Sequence, residues 1–388
     1  MSSNSNPSTV QLFASFIRLG MTAFGGPSMV AYIRSFAVDK RHWLEAETFS
    51  DGVAFCQMIP GATAMQTAAY VGLKTRGVLG AAAAFIGFGL PAFFLMLAFS
   101  VLYANNHNLP VVVSAFSGLQ AIIVAILAFA TFSFGKNTLK GWKRYLIAGI
   151  AALLFGFNVN PILVILLAAL MGLWLIQPGQ LSANSTSAIG QEETHIKSVL
   201  LILCVTAIGA LLLFLLKPAL FDLFILMFRI DLSAFGGGFA SVPLMYHEIV
   251  EVRNWLNGQT FMNGIILGQV TPGPIVITAT FVGYLLDGVF GAIIATIGIF
   301  MPSFLLVVGI SPYYNRFRSS PYFNKIINGV LCSFVGLLLA VTIRFGLDTP
   351  WDIRHVLLGI GAFIALYLKV DILWVVVAGT IISVLLFI

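Results

Sequence analysis

Three pairs of short motifs in this chain carry residue types suited to holding an anion inside an apolar medium. Phe24-Gly25-Gly26-Pro27 recurs as Phe235-Gly236-Gly237-Gly238, and Gln57-Met58-Ile59-Pro60-Gly61 recurs as Gln269-Val270-Thr271-Pro272-Gly273. Arg18 recurs as Arg229, each six residues before its phenylalanine. Adjacent glycines and proline disfavour continuous helix and suit the first turn of a new one. A helix starting there presents unpaired N–H groups and the positive end of its dipole, an arrangement that binds oxyanions. Gln57 and Gln269, three residues before each proline, can donate or accept hydrogen bonds, and Thr63 and Thr271 add hydroxyls. Guanidinium matches a tetrahedral oxyanion through its fork of donors. This is the chemistry of binding, with no nucleophile and base set out for catalysis.

Each motif also has a plainer reading. Paired glycines let helices approach closely, Pro-Gly kinks a helix whose freed carbonyl finds a polar partner, and an arginine near a helix end snorkels to the interface. Recurrence at matched positions favours binding for the glycine and proline motifs, while the arginines stand evenly between the two. Asp231 faces Gly20 in the alignment of the halves. It either pairs with an arginine or carries a proton. Asp39, Arg41 and Trp43 recur as Glu251, Arg253 and Trp255 and read as an interfacial anchor. His247 and Glu248, present only in the second half, read as a solvated loop position.

The elements that must position these residues are membrane helices. The chain of 388 residues is 59% hydrophobic and 9% charged, with mean hydropathy +1.00. Soluble domains carry about 25% charged residues. Apolar runs long enough for a bilayer core of about 30 Å recur along most of the length, and backbone groups in lipid must be satisfied within helices when the alternation of a barrel is missing. Thirteen spans are predicted near 10–36, 49–73, 77–103, 111–134, 145–158, 161–177, 198–216, 220–245, 260–285, 288–311, 326–346, 353–368 and 370–388. Residues 10–177 form the first repeat, 178–219 a polar linker with a connecting transmembrane helix, and 220–388 the second repeat. The motifs recur at an offset of about 211 residues in unbroken order. The fold class is thus an all-α polytopic membrane protein of two homologous repeats with broken or re-entrant helices at the Gly-Gly and Pro-Gly motifs. The unmatched run 198–216 makes the number of crossings between the halves odd and the repeats inverted. If only the Pro-Gly segments fail to cross, the halves become parallel. Under thirteen spans, basic residues divide 12 to 6 in favour of a cytoplasmic N-terminus and an outside C-terminus.

Other classes find little support. The start, 1–9, has no basic residue and no signal-peptide pattern. Cys56, Cys204 and Cys332 lie far apart and form no metal or disulfide spacing. A phosphate-binding loop, an H-E-x-x-H pair and a TVGYG filter are missing from the sequence. No cofactor is called for. A net charge of +6 suits cytoplasmic loops or an anion, whereas nucleic-acid binding would need a basic patch that 9% charge hardly supplies.

The paired FGG and PG motifs, the R-x-W-L turns at Arg41 and Arg253, and the P-G-P at Pro272–Pro274 resemble the chromate ion transporter family. The likeness is strongest over 13–104 and 224–312, and the first half has Ala62 where the family commonly shows the second proline of P-G-P. The resemblance implies a two-domain inner-membrane protein that moves chromate, in resistant bacteria by efflux, with sulfate as natural competitor. The expected substrate site combines Arg18, Phe24, Gly25, Gly26, Gln57, Pro60, Gly61, Arg229, Phe235, Gly236, Gly237, Gln269, Thr271, Pro272 and Gly273. Its partners are the oxyanion, the lipid bilayer and, as an open option, a second copy of the chain. Sulfate uptake or exchange, and an anion-selective channel, are the alternative functions.

Overall fold

A computed structural model describes residues 7–24, 28–176, 196–314 and 320–387. Gly25, Gly26, Pro27 and most of the polar linker lie outside them. The first repeat runs α1 (Thr9–Thr22), α2 (Ser28–Arg34) with a π-helical turn (Ser35–Lys40), α3 (Ala46–Met58), α4 (Thr63–Asn106), α5 (Pro110–Thr138), α6 (Trp142–Gly156) and α7 (Pro161–Leu175). After α8 (Ile196–Leu216), the second repeat runs α9 (Pro218–Ser233), α10 (Ser241–Tyr246) with a π-helical turn (His247–Val252), α11 (Gly258–Val270), α12 (Thr278–Ile310), α13 (Pro321–Asp348), α14 (Ile353–Tyr367) and α15 (Ile372–Phe387). Local signals set many of the starts. Ser8 and Gln11 form a capping box. Asn160, Asn257, Ser320 and Asp352 accept from N–H groups in the first turn of their helices. Proline opens α5, α7, α9 and α13.

Two helices are folded back on themselves. α4 turns at Arg76 and Gly77 (φ 63°, ψ −153°), and α12 at Asp287 and Gly288 (φ 58°, ψ −144°). The arms on either side of each turn touch through glycine. A β-carbon on Gly72 would lie 2.1 Å from the Gly80 carbonyl oxygen, and one on Gly283 2.2 Å from that of Gly291. The first arm of α4 also lies along α3, because a β-carbon on Gly52 would fall 2.1 Å from the Tyr70 ring. Gly264 of α11 meets Phe281 of α12 in the same way, at 2.5 Å. α3 with the first arm of α4, and α11 with the first arm of α12, are therefore hairpins with Pro-Gly at their tips. α3 and α11 have 13 residues each. At 1.5 Å per residue they reach about 20 Å, short of the roughly 30 Å core.

The outer part of each repeat behaves likewise. α1 runs parallel to the second arm of α4: Arg76 Nε donates to the Pro7 carbonyl at 2.8 Å, and Gly20 packs on the Phe88 backbone. α9 runs parallel to the second arm of α12, with Lys217 Nζ 3.8 Å from Asp287 Oδ2 and Gly298 against Phe224. Only five residues, 41–45, join the turn after α2 to α3, so α1 starts and α2 ends on one face. The spans expected at 10–36, 49–73, 220–245 and 260–285 thus enter and leave by a single face. The correction arises because hydropathy registers apolar content and not a reversal at a Gly-Gly or Pro-Gly break.

The inversion survives. Between the repeat starts the chain crosses with the second arm of α4, with α5, with the α6–α7 hairpin and with α8, an odd total. The repeats also interlock: α5 packs on α14 and α15, while α13 packs on α6 and α7. His355 ties α14 to α5, its Nδ1 2.8 Å from Asp352 Oδ1 and its Nε2 3.1 Å from Ser117 Oγ. Thr131 and its mate Thr342 meet at 3.4 Å, marking the pseudo-two-fold axis. One face then gathers Lys40, Arg41, Lys74, Arg76, Lys136, Lys140, Lys143, Arg144, Lys197, Lys325 and Lys369, and the other Lys217, Arg253, Arg344 and Arg354. The first is the cytoplasmic face by the positive-inside rule.

This topology is checked by cysteine labelling in a Cys56/Cys204/Cys332-free background. His42→Cys and Lys74→Cys should react with a membrane-impermeant maleimide from the same face, and Asn254→Cys from the opposite face. Thirteen full crossings would put His42 and Lys74 on opposite faces.

Candidate functional site

The two Pro-Gly tips meet the ends of the first helices near the middle of the molecule, each crossing into the other repeat. Gly61 N donates to the Ala234 carbonyl at 2.9 Å, and Gly273 N donates to the Ala23 carbonyl at 3.0 Å. Both glycines sit at positive φ, 115° and 124°, which only glycine adopts without strain. They are also pressed closely. A β-carbon on Gly61 would fall 2.0 Å from Ser303 Oγ, and one on Gly273 2.8 Å from Ala92 Cβ. Gly236 and Gly237 lie at φ 98° and 95° where the α9 end gives way to α10.

A cavity of about 800 Å³ lies against this crossing. Its floor is the start of α4 at Ala62–Ala64, the stretch Gly273–Ile275 before α12, and Gly236–Ala240. Neither Ala62 nor Pro274 provides a side-chain cap to the helical segment it precedes, and Ala62 N itself donates to Ser303 Oγ at 3.1 Å. The walls come from α2, α3, α5 and α13, with polar groups from Ser50, Gln57, Ser133, Asn137, Gln269 and Thr271. Gln269 Nε2 is buried and has no acceptor. Arg34, exposed at the end of α2, is the one charged residue lining the cavity and makes no ion pair among the described residues. Asn137, Thr138 and Ile372 bring the cavity to the level of the basic face.

In the other repeat the places of Arg34 and Ser133 are taken by larger side chains that engage their neighbours. Tyr246 stands at the place of Arg34 and packs on Phe261 and Phe345, ring centroids 5.9 and 5.2 Å apart. Arg344, at the place of Ser133, pairs with Glu251 and donates to the Phe155 carbonyl and to Asn158 Oδ1 at 3.1 and 2.5 Å. His247 Nδ1 meets Glu251 at 2.7 Å, and Glu248 pairs with Arg229 and lies 3.8 Å from Arg253 Nε. His247 and Glu248 are buried. This corrects the expectation of a solvated loop, because apolar helices enclose the turn that carries them.

Of the residues singled out from the sequence, the structure brings Gln57, Gly236, Gly237, Gln269, Thr271 and Gly273 to the cavity. Pro60, Gly61 and Pro272 form the tips behind its lining. Phe24 and Phe235 flank the breaks, half-buried, and Gly25 and Gly26 are outside the described residues. Arg18 is exposed and Arg229 is engaged by Glu248, and neither lines the cavity. Arg34 lies inside the span predicted at 10–36 and is not among the residues that the repeated motifs single out. Its signal was a lone arginine one helix after the Phe-Gly-Gly break. Ser133 and Asn137 are two of several polar residues on α5, and nothing in the sequence sets them apart.

The Gly61 tip yields a stability test. Gly61→Ala should lower the detergent Tm by an amount equivalent to about 1–3 kcal/mol. Ser303→Ala in the same chain should recover only the steric part, leaving the cost of positive φ. An unchanged Tm would mean that the tip is not held as described.

The family profile described as chromate transporter matches residues 10–173 and 221–384. An uncharacterized transporter of Methanocaldococcus jannaschii is 41% identical over 384 residues, covering 99% of this chain and 96% of the relative. The chromate transport protein of Cupriavidus metallidurans is 28% identical over 364 residues, 92% of this chain and 88% of the relative. An uncharacterized transporter of Bacillus subtilis is 31% identical over 162 residues, 40% of this chain and 81% of the relative. No solved structure matches the chain.

Proposed function

The chain belongs to the chromate transporter family, and from that premise we propose that it carries chromate out of the cell across the inner membrane and so confers chromate resistance. The observation that supports this most is the cavity's donor set. Among the described residues Gln269 Nε2 lacks an acceptor, Arg34 lacks an ion pair, Ala62 and Pro274 provide no side-chain cap, and no carboxylate lines the cavity. A tetrahedral dianion supplies the acceptors that these groups want. The cavity reaches the basic, cytoplasmic face, so the anion would load from inside. A dianion leaving an interior held negative gains about 4.6 kcal/mol per 100 mV, twice the single-charge value. The engaged side chains on the opposite side, Tyr246 and Arg344, favour a carrier over a channel. Sulfate, alike in shape and charge, is the expected competitor, and the same cavity would serve sulfate exchange.

Chromate uptake into inside-out vesicles tests this directly. Uptake should saturate and be inhibited by sulfate. Arg34→Gln should weaken apparent affinity about 10–100-fold, the value of a charge-assisted hydrogen bond. Gln269→Leu should weaken it less, and Arg18→Gln should stay near wild type. Wild-type uptake by both Arg34→Gln and Gln269→Leu would move the site elsewhere. Non-saturating currents in planar bilayers would replace the carrier with a channel.

A further inference from the structure

Asp231, near the end of α9, is fully buried. Its Oδ2 accepts from Ser303 N at 3.0 Å and from Ser303 Oγ at 2.7 Å, and its Oδ1 has no donor. Ser303 Oγ in turn accepts from Ala62 N at 3.1 Å and lies 3.5 Å from Gln66 Nε2. Gln66 is also fully buried, and its Oε1 lacks a donor. These groups converge on the Gly61 tip: its virtual β-carbon lies within 3.1 Å of Asp231 Oδ2 and 2.8 Å of Gln66 Nε2.

Among the described residues no cation pairs with the carboxylate. The titratable or charged side chains on the elements packed against α9 are Lys197 and Cys204 on α8, Tyr246 on α10, and Tyr284 and Asp287 on α12; α9 itself adds Asp222 and Arg229. None gives Asp231 a hydrogen bond or an ion pair among the described residues. Isolated ionised carboxylates are very costly in an apolar interior. The first repeat has nothing comparable, with Gly20 and Ala92 at the matching places. A side chain at Gly20 would strike the Phe88 carbonyl oxygen, 2.4 Å from its β-carbon. The polar cluster therefore exists once and is not a requirement of the repeat architecture.

We propose that Asp231 is a proton-binding site coupled to the anion cavity. The proposal rests on that cavity being the anion site. Ala62 joins the two: it lines the cavity, and its N–H donates to the same Ser303 hydroxyl that donates to Asp231. A dianion in the cavity repels an ionised Asp231, and a proton on Asp231 removes the repulsion. Each ligand therefore tightens the other, by the reciprocity of linked binding. Proton and dianion move together, and the pair still carries one net negative charge, so export down the membrane potential is preserved.

The test uses purified full-length protein in liposomes containing a pH dye, with chromate and, separately, sulfate, which does not titrate near neutrality. A substrate gradient should drive proton movement in the same direction in wild type. Asp231→Asn, which keeps shape and hydrogen bonding, should still move the anion but lose the accompanying proton signal and flatten the pH dependence of sulfate flux. Ser303→Ala should weaken the coupling while keeping anion flux. Anion-free infrared difference spectra between acid and alkaline buffer should show a protonated-carboxyl band that Asp231→Asn removes. Proton movement unchanged in Asp231→Asn, or flux that follows Na⁺ with no proton signal, overturns the proposal. Protein that moves neither anion overturns the cavity reading and the coupling, while the infrared band decides the proton site independently.

Discussion

Two reciprocal backbone hydrogen bonds, Gly61 N to Ala234 O and Gly273 N to Ala23 O, are the constraint on which the rest of this structure depends. In a bilayer an unsatisfied N–H or carbonyl costs several kcal/mol. Each repeat breaks its first helix at Ala23 or Ala234 and reverses its second hairpin at Pro-Gly, so each leaves one open carbonyl and one open N–H at depth. The repeat cannot pair these two groups itself, because the tip and the break that match belong to different halves. Inversion solves the problem by bringing the hairpins in from opposite faces to meet near the middle. The interlocking of α5 with α14 and α15, and of α13 with α6 and α7, is the same dependence expressed in packing.

That crossing also explains where a ligand can go. The tips place uncapped helix starts next to the axis, and irregular backbone in a membrane is tolerated where it is buried in protein or lines a cavity. Both situations occur here, one in each half. On the basic side, Arg34 and Ser133 leave space; on the other, Tyr246 and Arg344 take their places and are tied down by Glu251, His247 and Phe155. The pseudo-symmetric frame thus holds an open space on one side and engaged side chains at the matching places on the other. Its ion pairs set largely buried carboxylates, Glu248 and Glu251, against the more exposed Arg229 and the partly buried Arg344. Removing one partner would leave a buried charge unbalanced, so these pairs hold the half shut more firmly than surface pairs would.

Much of this was legible in the sequence. The duplication, the membrane class, the two kinds of helix break and the opposed orientation all follow from Gly, Pro and apolar runs, whose effects are local. Gln57, Gln269 and Thr271 were legible because polar residues beside a Pro-Gly break have few reasons to be there. The re-entrance of 10–36 and 49–73 was legible only as an alternative to full crossing at the Gly-Gly and Pro-Gly breaks. An apolar run of that length looks the same whether it crosses or doubles back, and only contacts such as Gly52 with Tyr70 distinguish them. Arg18 and Arg229 misled because an arginine inside an apolar run signals a need for a partner without naming it. Arg229 found Glu248, while the guanidinium at the cavity with no ion pair among the described residues is Arg34, which no repeated motif marks.

The departures from symmetry locate function better than the symmetry does. Where both repeats carry the same residue, as at Gly61 and Gly273, the shared need is backbone geometry, and the positive φ of each accounts for it. Where they differ, geometry alone is satisfied by the simpler member: Gly20 and Ala92 fill their places with no polar atom. Asp231 and Ser303 at the equivalent places bring a buried carboxyl with an unpartnered oxygen, a cost that packing did not require. A costly group retained at one of two equivalent positions, hydrogen-bonded through Ser303 to the backbone that floors the cavity, is positioned to report the cavity's occupancy. The near-symmetric frame supplies the two faces, and the unmatched polar cluster gives one crossing a charge-sensitive element that the other lacks.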